Sequence, residues 1–124
     1  MMTTEIKKVC CYVRTRPGDT TLQERIDFLK AVVALHEDWD CVDFIIDKTT
    51  RVGLDRPVVK EVRERMARGE LKYMIVTHFS VLTPNAGNIR KLTEELRSFG
   101  CGIVALHEKV NTLLTYGEEK YENC

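Results

Sequence analysis

No stretch of this sequence stays apolar for the ~20 residues that a membrane-spanning helix needs, so that class of protein is excluded. Residues 1–8 lack the apolar centre of a secretory leader, and the expectation is a cytoplasmic protein with no membrane partner. Net charge is absent as well: 19 Lys+Arg face 19 Asp+Glu. A stand-alone DNA-binding domain is usually basic, so any case for nucleic acid has to rest on local residues. Neither a GxGxxG run nor a P-loop is present. The five cysteines, Cys10, Cys11, Cys41, Cys101 and Cys124, are odd in number, lack CxxC spacing and sit mostly in apolar stretches. They read as reduced, buried thiols rather than disulfides or zinc ligands. His36 and His107 lie at the ends of apolar segments with no second ligand at metal-binding spacing, so no metal and no cofactor is expected.

What is present is a chain of 124 residues, 44% hydrophobic and 31% charged, enough for one globular core and too little for two. Short apolar, β-branched segments occur at 9–13, 42–46, 73–77 and 103–106. Their continuous apolar content predicts buried parallel strands rather than half-exposed antiparallel ones. Three stretches of helical spacing separate them. The first carries Leu22, Ile26, Leu29 and Val33, with Thr21 and Glu24 at capping-box spacing. The second opens at Asp55, Arg56 and Pro57, carries Val58, Val62 and Met66, and stops at Gly69; Asp55 is its candidate cap. The third follows Thr83 and Pro84, presents Ile89, Leu92, Leu96 and Phe99, and ends at Gly100.

The resulting β-α-β-α-β-α-β order, with right-handed crossovers, predicts an α/β fold: a single domain with a mainly parallel, four- to five-stranded sheet and helices on both faces. Its expected extent is 1–112, followed by a short polar tail over 113–124. Ligands of such sheets bind beyond the carboxyl ends of the strands, which directs attention to loops 14–20, 47–55, 78–88 and 107–112. Strand alternation puts Tyr12, Arg14 and Arg16 on one face at the first of these, with Val13 and Thr15 on the other. Two guanidiniums there suit a phosphate or carboxylate. The loop around Asp47, Thr50, Arg51 and Asp55 is polar enough to arch over a site, whereas the loop with His78, Ser80 and Thr83 supplies no cation.

Tyr12, Val13 and Arg14, then Gln23, Asp47, Arg56 with Pro57, and the run 102–108 occur in the order of a known family. Over roughly residues 8–112 the chain resembles the catalytic domain of serine site-specific recombinases, the resolvase/invertase group. The resemblance implies a serine that attacks a DNA phosphodiester and is left as a phosphoserine, arginines that stabilise the transition state, and dimers that assemble into tetramers. It also exposes departures. The family's nucleophile position is Arg16, which has no oxygen to attack phosphorus. The family's Asp-Arg-Leu-Ser-Arg motif falls on residues 80–84, where Ser80, Val81 and Pro84 stand in place of the aspartate and both arginines. A Ser-Gly pair falls on Thr50 and Arg51. Arg14, Asp47 and Arg56 are the remnants of the charged set. Loss of one preorganised donor alone typically costs about 10²–10³ in rate.

The expectation is therefore a catalytically silent domain, a pseudoenzyme or protein-interaction module linked to DNA recombination in a mobile element. Two alternatives stand beside it. One is an anion- or nucleotide-binding enzyme with a repurposed site, for which Arg14, Arg16, Arg51 and Arg56 are the phosphate-binding candidates. The other is an active recombinase using Thr15, Ser80 or Thr83 as its nucleophile. Expected partners are a second copy of the chain or another recombinase. Autonomous DNA binding is expected to be weak or absent, because Glu118, Glu119 and Glu122 outnumber Lys120 at the end of the chain, where the family continues into a long DNA-gripping helix.

Overall fold

The computed structural model describes residues 5–49 and 53–115, the side chain of Thr115 excepted; Arg51, Thr50 and the acidic run after 115 lie outside the described residues. The elements are β1 (Lys7–Arg14), α1 (Leu22–Ala34), β2 (Trp39–Asp47), α2 (Pro57–Ala67), β3 (Tyr73–Val76), α3 (Ala86–Ser98), β4 (Gly102–Ala105), β5 (Val110–Asn111) and α4 (Thr112–Thr115), with a 3-10 turn over Phe79–Val81. The sheet order is β2-β1-β3-β4-β5. Its first four strands are parallel, and β5 runs antiparallel to β4.

Alternation along β1 divides the core in two. Cys10 and Tyr12 join Val59, Val62, Met74, Leu92 and Leu96 beneath α2 and α3. Val9, Cys11 and Val13 join Ile26, Leu29 and Ile75 beneath α1. Helices on both faces thus cover the central strands, and β3 and β4 are buried along their whole length. The expectation of a fully buried strand fails for β2. It is an edge strand with one neighbour, and Val42 and Ile46 remain 42% and 40% exposed. A bulge in its pairing, where Val9 faces Cys41 but Cys10 faces Asp43, leaves Val42 without a partner.

Helix ends are set locally. Gly69 (φ +79°) and Gly100 (φ +76°) adopt the left-handed conformation just past α2 and α3. At α3, Cys101 N–H reaches back to the Leu96 carbonyl and Gly100 N–H to that of Arg97, both at 2.9 Å, which satisfies carbonyls the helix leaves open. The caps of α1 and α2 differ from expectation. Thr21 makes no side-chain cap to α1; its backbone N–H and hydroxyl donate to Asp19 instead. Asp55 does not cap α2, whose N-cap is Arg56 in an extended conformation ahead of Pro57. The cap of α3 is Asn85, which accepts from the Asn88 N–H at 3.0 Å. After β4 the chain turns through Lys109, at φ +59°, into β5 and α4. Leu113 of α4 packs against the cluster beneath α1, so ordered structure continues past residue 112.

Candidate functional site

Because β2 and β3 flank β1 on opposite sides, the strand order reverses at β1, and a crevice opens where its carboxyl end meets that of β3. A cleft of about 490 Å³ occupies this position. Among the described residues, Arg14, Thr15 and Arg16 form one wall and Asp19, Thr21 and Arg25 a second, and Thr49, Ser80 and Val81 also line it.

The first wall departs from simple strand alternation. Strand β1 ends at Arg14, and a turn closed by Asp19 N–H to the Arg16 carbonyl (3.1 Å) takes over, with Pro17 and Gly18 (φ +82°) at its centre. Thr15 therefore shares the cleft with Arg14 and Arg16 instead of facing away. Tyr12 belongs to the core beneath α2 and α3. Arg14 is half-buried and its Nε donates to the Thr49 carbonyl at 3.1 Å. Arg16 is exposed at the cleft.

Asp19 organises the second wall. One carboxylate oxygen accepts from the Thr21 N–H (2.8 Å) and hydroxyl (2.7 Å), and the other accepts from the Thr15 hydroxyl (2.9 Å) and pairs with Arg25. The Thr21 hydroxyl, the Thr21 N–H and the Thr15 hydroxyl, followed by the Arg25 charge, hold its carboxyl down at about 2. Arg25 also donates to the Arg14 carbonyl at 2.8 Å, tying α1 to the end of β1. Sequence reasoning missed Arg25. Its place four residues after Thr21 reads only as an exposed helix position, and nothing local shows that the turn at Asp19 folds back to meet it.

Arg56 is not on this cleft. It and Asp47 are each 1% exposed, and they meet Tyr12 in a buried cluster at the ends of β1 and β2. Arg56 Nε donates to Asp47 at 3.1 Å, one terminal nitrogen to the Tyr12 hydroxyl at 2.7 Å, and the other to the Gly53 carbonyl at 2.7 Å. Tyr12 in turn donates to Asp47, whose second oxygen accepts the Thr49 N–H at 2.9 Å. Burial works to raise the Asp47 carboxyl, but the hydrogen bonds from Tyr12 and Thr49 and the Arg56 charge outweigh it, leaving Asp47 below the usual carboxylate range. Burial, with the bond to Asp47, pushes the Tyr12 hydroxyl up. Grouping Arg56 with the phosphate-facing cations is thus corrected: its donors are turned inward as a brace between β1, β2 and the start of α2.

The loop after β3 brings only Ser80 and Val81 to the cleft. Thr83 is buried, and its hydroxyl accepts the Asn85 N–H at 3.3 Å. His78 and His107 meet edge to face at 5.0 Å, and His36 stacks on Trp39 at 3.7 Å. Among the described residues no group of three or more His, Cys, Asp or Glu could hold a metal ion, and no helix is long and apolar enough to cross a membrane.

Comparison with known proteins gives concordant results. A family model described as "Resolvase, N terminal domain" matches residues 9–121. The fold is similar to the N-terminal catalytic domain of TP901-1 integrase, at TM-score 0.74 and 18% identity over 94% of this chain and 90% of that one. It is similar to a resolvase family site-specific recombinase from Streptococcus pneumoniae, at TM-score 0.72 and 15% identity over 89% and 78% of the two chains. A third likeness is to the first ORF in transposon ISC1904 from Sulfolobus solfataricus P2, at TM-score 0.65 and 18% identity over 93% and 74%. At these identities the likeness is one of fold. No curated protein matches the chain in sequence.

Proposed function

The chain belongs to the resolvase N-terminal-domain family, and from that premise we propose that it is a catalytically silent member, acting by protein association within the recombination system of a mobile element. The observation that carries this reading is Arg16. It occupies the position at which the family resemblance places the serine, it stands exposed at the cleft, and a guanidinium cannot attack phosphorus. Thr15, the nearest hydroxyl, donates to Asp19, and a carboxylate whose pKa is held at about 2 is a poor base at neutral pH. The cleft's third-strand loop contributes a hydroxyl and an apolar side chain rather than cations. The transposon origin named for one structural neighbour supports the mobile-element setting. The association partner is a second copy or another recombinase.

Incubation with nicked recombination-site DNA, followed by denaturing electrophoresis, tests the silent site. The expected result is no covalent protein–DNA adduct. An adduct that disappears on Thr15→Ala or Ser80→Ala would overturn the reading. Light scattering and pull-down with a co-resident recombinase test association, and a strict monomer that captures none would remove that half of the proposal.

A second reading is favoured by the cleft's charge. Among the described residues, Arg14, Arg16 and Arg25 line it against the carboxylate of Asp19, an arrangement suited to a phosphorylated ligand at the switch point. A thermal-shift series with inorganic phosphate, nucleotides and sugar phosphates distinguishes it. Saturable stabilisation that Arg16→Ala weakens would favour ligand binding, and no shift with any anion would dismiss it.

A further inference from the structure

On the α1 face of the sheet, apart from the switch-point cleft, an open cavity of about 490 Å³ lies between α1 and the edge strand β2. Lys30, Val33 and Ala34 form the helix side, Val42, Asp43 and Phe44 the strand side, and Cys11 and Cys41 also line it. The two sulfurs are 3.8 Å apart. Cys41 is half-buried, whereas Cys10, Cys11 and Cys101 are buried, so Cys41 is the accessible thiol among the described cysteines. The Cys41 thiol also reaches the Asp43 carbonyl at 3.3 Å. Cys10 points to the opposite core, and the Cys101 thiol is held by the Leu71 carbonyl at 3.2 Å.

We propose that Cys41 is a thiol-modification site that takes a low-molecular-weight disulfide, and that Cys11 resolves the adduct into a Cys11–Cys41 disulfide. In the first step the Cys41 thiolate attacks one sulfur of the small disulfide. A mixed disulfide forms on Cys41, and the departing thiolate takes up the proton that Cys41 released. In the second, the Cys11 thiolate attacks the Cys41 sulfur, the mixed bond breaks, and the second small thiolate leaves with the Cys11 proton. Two protein thiols are oxidised by two electrons and one disulfide is reduced to two thiols, so the exchange balances.

Three features support that order. The cavity is open to solvent beside Cys41 and has room for the adduct, and the Lys30 cation lines the same space. Burial pushes the Cys11 thiol up, which makes it the slower, second nucleophile. Closing the sulfurs from 3.8 Å to a bonded distance of about 2.05 Å requires Cys41 to move. It sits at the bulge of an edge strand, where the ladder is already interrupted and no second neighbouring strand holds it among the described residues.

The test uses the full chain carrying Cys124→Ser, treated with oxidised glutathione under native conditions. Intact mass is expected to fall by two hydrogens, and tryptic mapping should link peptide 9–14 to peptide 31–48. Cys10→Ser should retain the link, and Cys11→Ser should stop with glutathione on Cys41. An unmodified Cys41, glutathione retained on Cys41 without the link, or a link that survives in Cys11→Ser would each overturn the proposal. The link retained in Cys10→Ser, where Cys11 is the sole cysteine of peptide 9–14, decides the matter even where Cys11→Ser fails to fold, and its loss in Cys10→Ser would overturn the proposal.

Discussion

Replacing Arg56 by methionine keeps most of the side chain's volume while removing its charge and, among others, its hydrogen bonds to Asp47, to the Tyr12 hydroxyl and to the Gly53 carbonyl. Both side chains of the Asp47–Arg56 pair have 0% exposure, so the carboxylate left behind cannot be rehydrated without opening the sheet end. Breaking one side of such a pair costs about 3–5 kcal/mol. Against a total stability of about 5–15 kcal/mol for a domain of this kind, that is a large fraction. Urea unfolding at neutral pH, followed by circular dichroism, should show an unchanged slope and a midpoint lowered by that loss divided by the slope, which for a slope of about 1–3 kcal/mol/M is at least about 1 M. The companion Asp47→Asn and the double variant complete a cycle, in which the two losses should be non-additive by about 1–3 kcal/mol. Acid supplies an independent reading. Asp47 is depressed in the folded state, so its contribution is complete above the unfolded carboxyl value and is lost as pH falls through the folded value. The wild-type protein should therefore lose stability on acidification more steeply than Asp47→Asn does. A loss below about 1 kcal/mol for Arg56→Met, or full additivity in the cycle, would refute the assignment of this cluster as a brace.

Three further outcomes follow from local geometry. Asn85→Ala removes the one side-chain cap found on α3 and should cost about 1 kcal/mol in urea unfolding. Gly102→Ala places a methyl 2.9 Å from both the Cβ and the backbone nitrogen of Leu113, so α4 must shift; a loss of about 1–3 kcal/mol is expected, with hydrogen exchange quickening across α4 and β4. The Asp19 carboxyl should titrate near 2 by NMR, and because its value is depressed, its bonds to Thr15, Thr21 and Arg25 persist above that pH and fail as pH falls through it. Thr21→Val, which removes the hydroxyl donor, should move that titration upward.

The layout of the fold was legible because its signals are local. Apolar runs of strand length, helical spacing between them, and Gly69 and Gly100 as stops locate β1 to β4 and α1 to α3 within a residue or two, apart from an earlier start to β2. Exposure was less legible. The runs 42–46 and 73–77 are both mainly apolar, despite Asp43 in the first, and the strand order decides that one becomes an edge and the other the centre. Cap contacts were less legible than helix starts. Thr21 is the N-cap residue of α1, yet its hydroxyl donates to Asp19 and makes no cap bond, and α2 opens on Arg56 in an extended conformation rather than on a capping Asp55.

The site shows where sequence reasoning reaches its limit in physical terms. Tyr12, Asp47 and Arg56 stand out singly in the sequence, but their mutual bonds join positions 35 and 44 residues apart. No local pattern says whether a guanidinium at the start of a helix points into a cleft or into the protein. The decision rests on solvation. A carboxylate buried at the end of β2 needs a cation, and Arg56, in the extended N-cap conformation ahead of Pro57, supplies it. That leaves the cleft with Arg14, Arg16 and Arg25 around Asp19. Locally the charge is uneven: Asp47 and Arg56 neutralise each other in a buried pair, while the described lining of the cleft holds more cations than carboxylates. On the reading proposed above, such a cleft attracts an anion while Arg16 offers it a guanidinium and no oxygen, so that anion-induced thermal stabilisation without a covalent DNA adduct is the expected joint outcome.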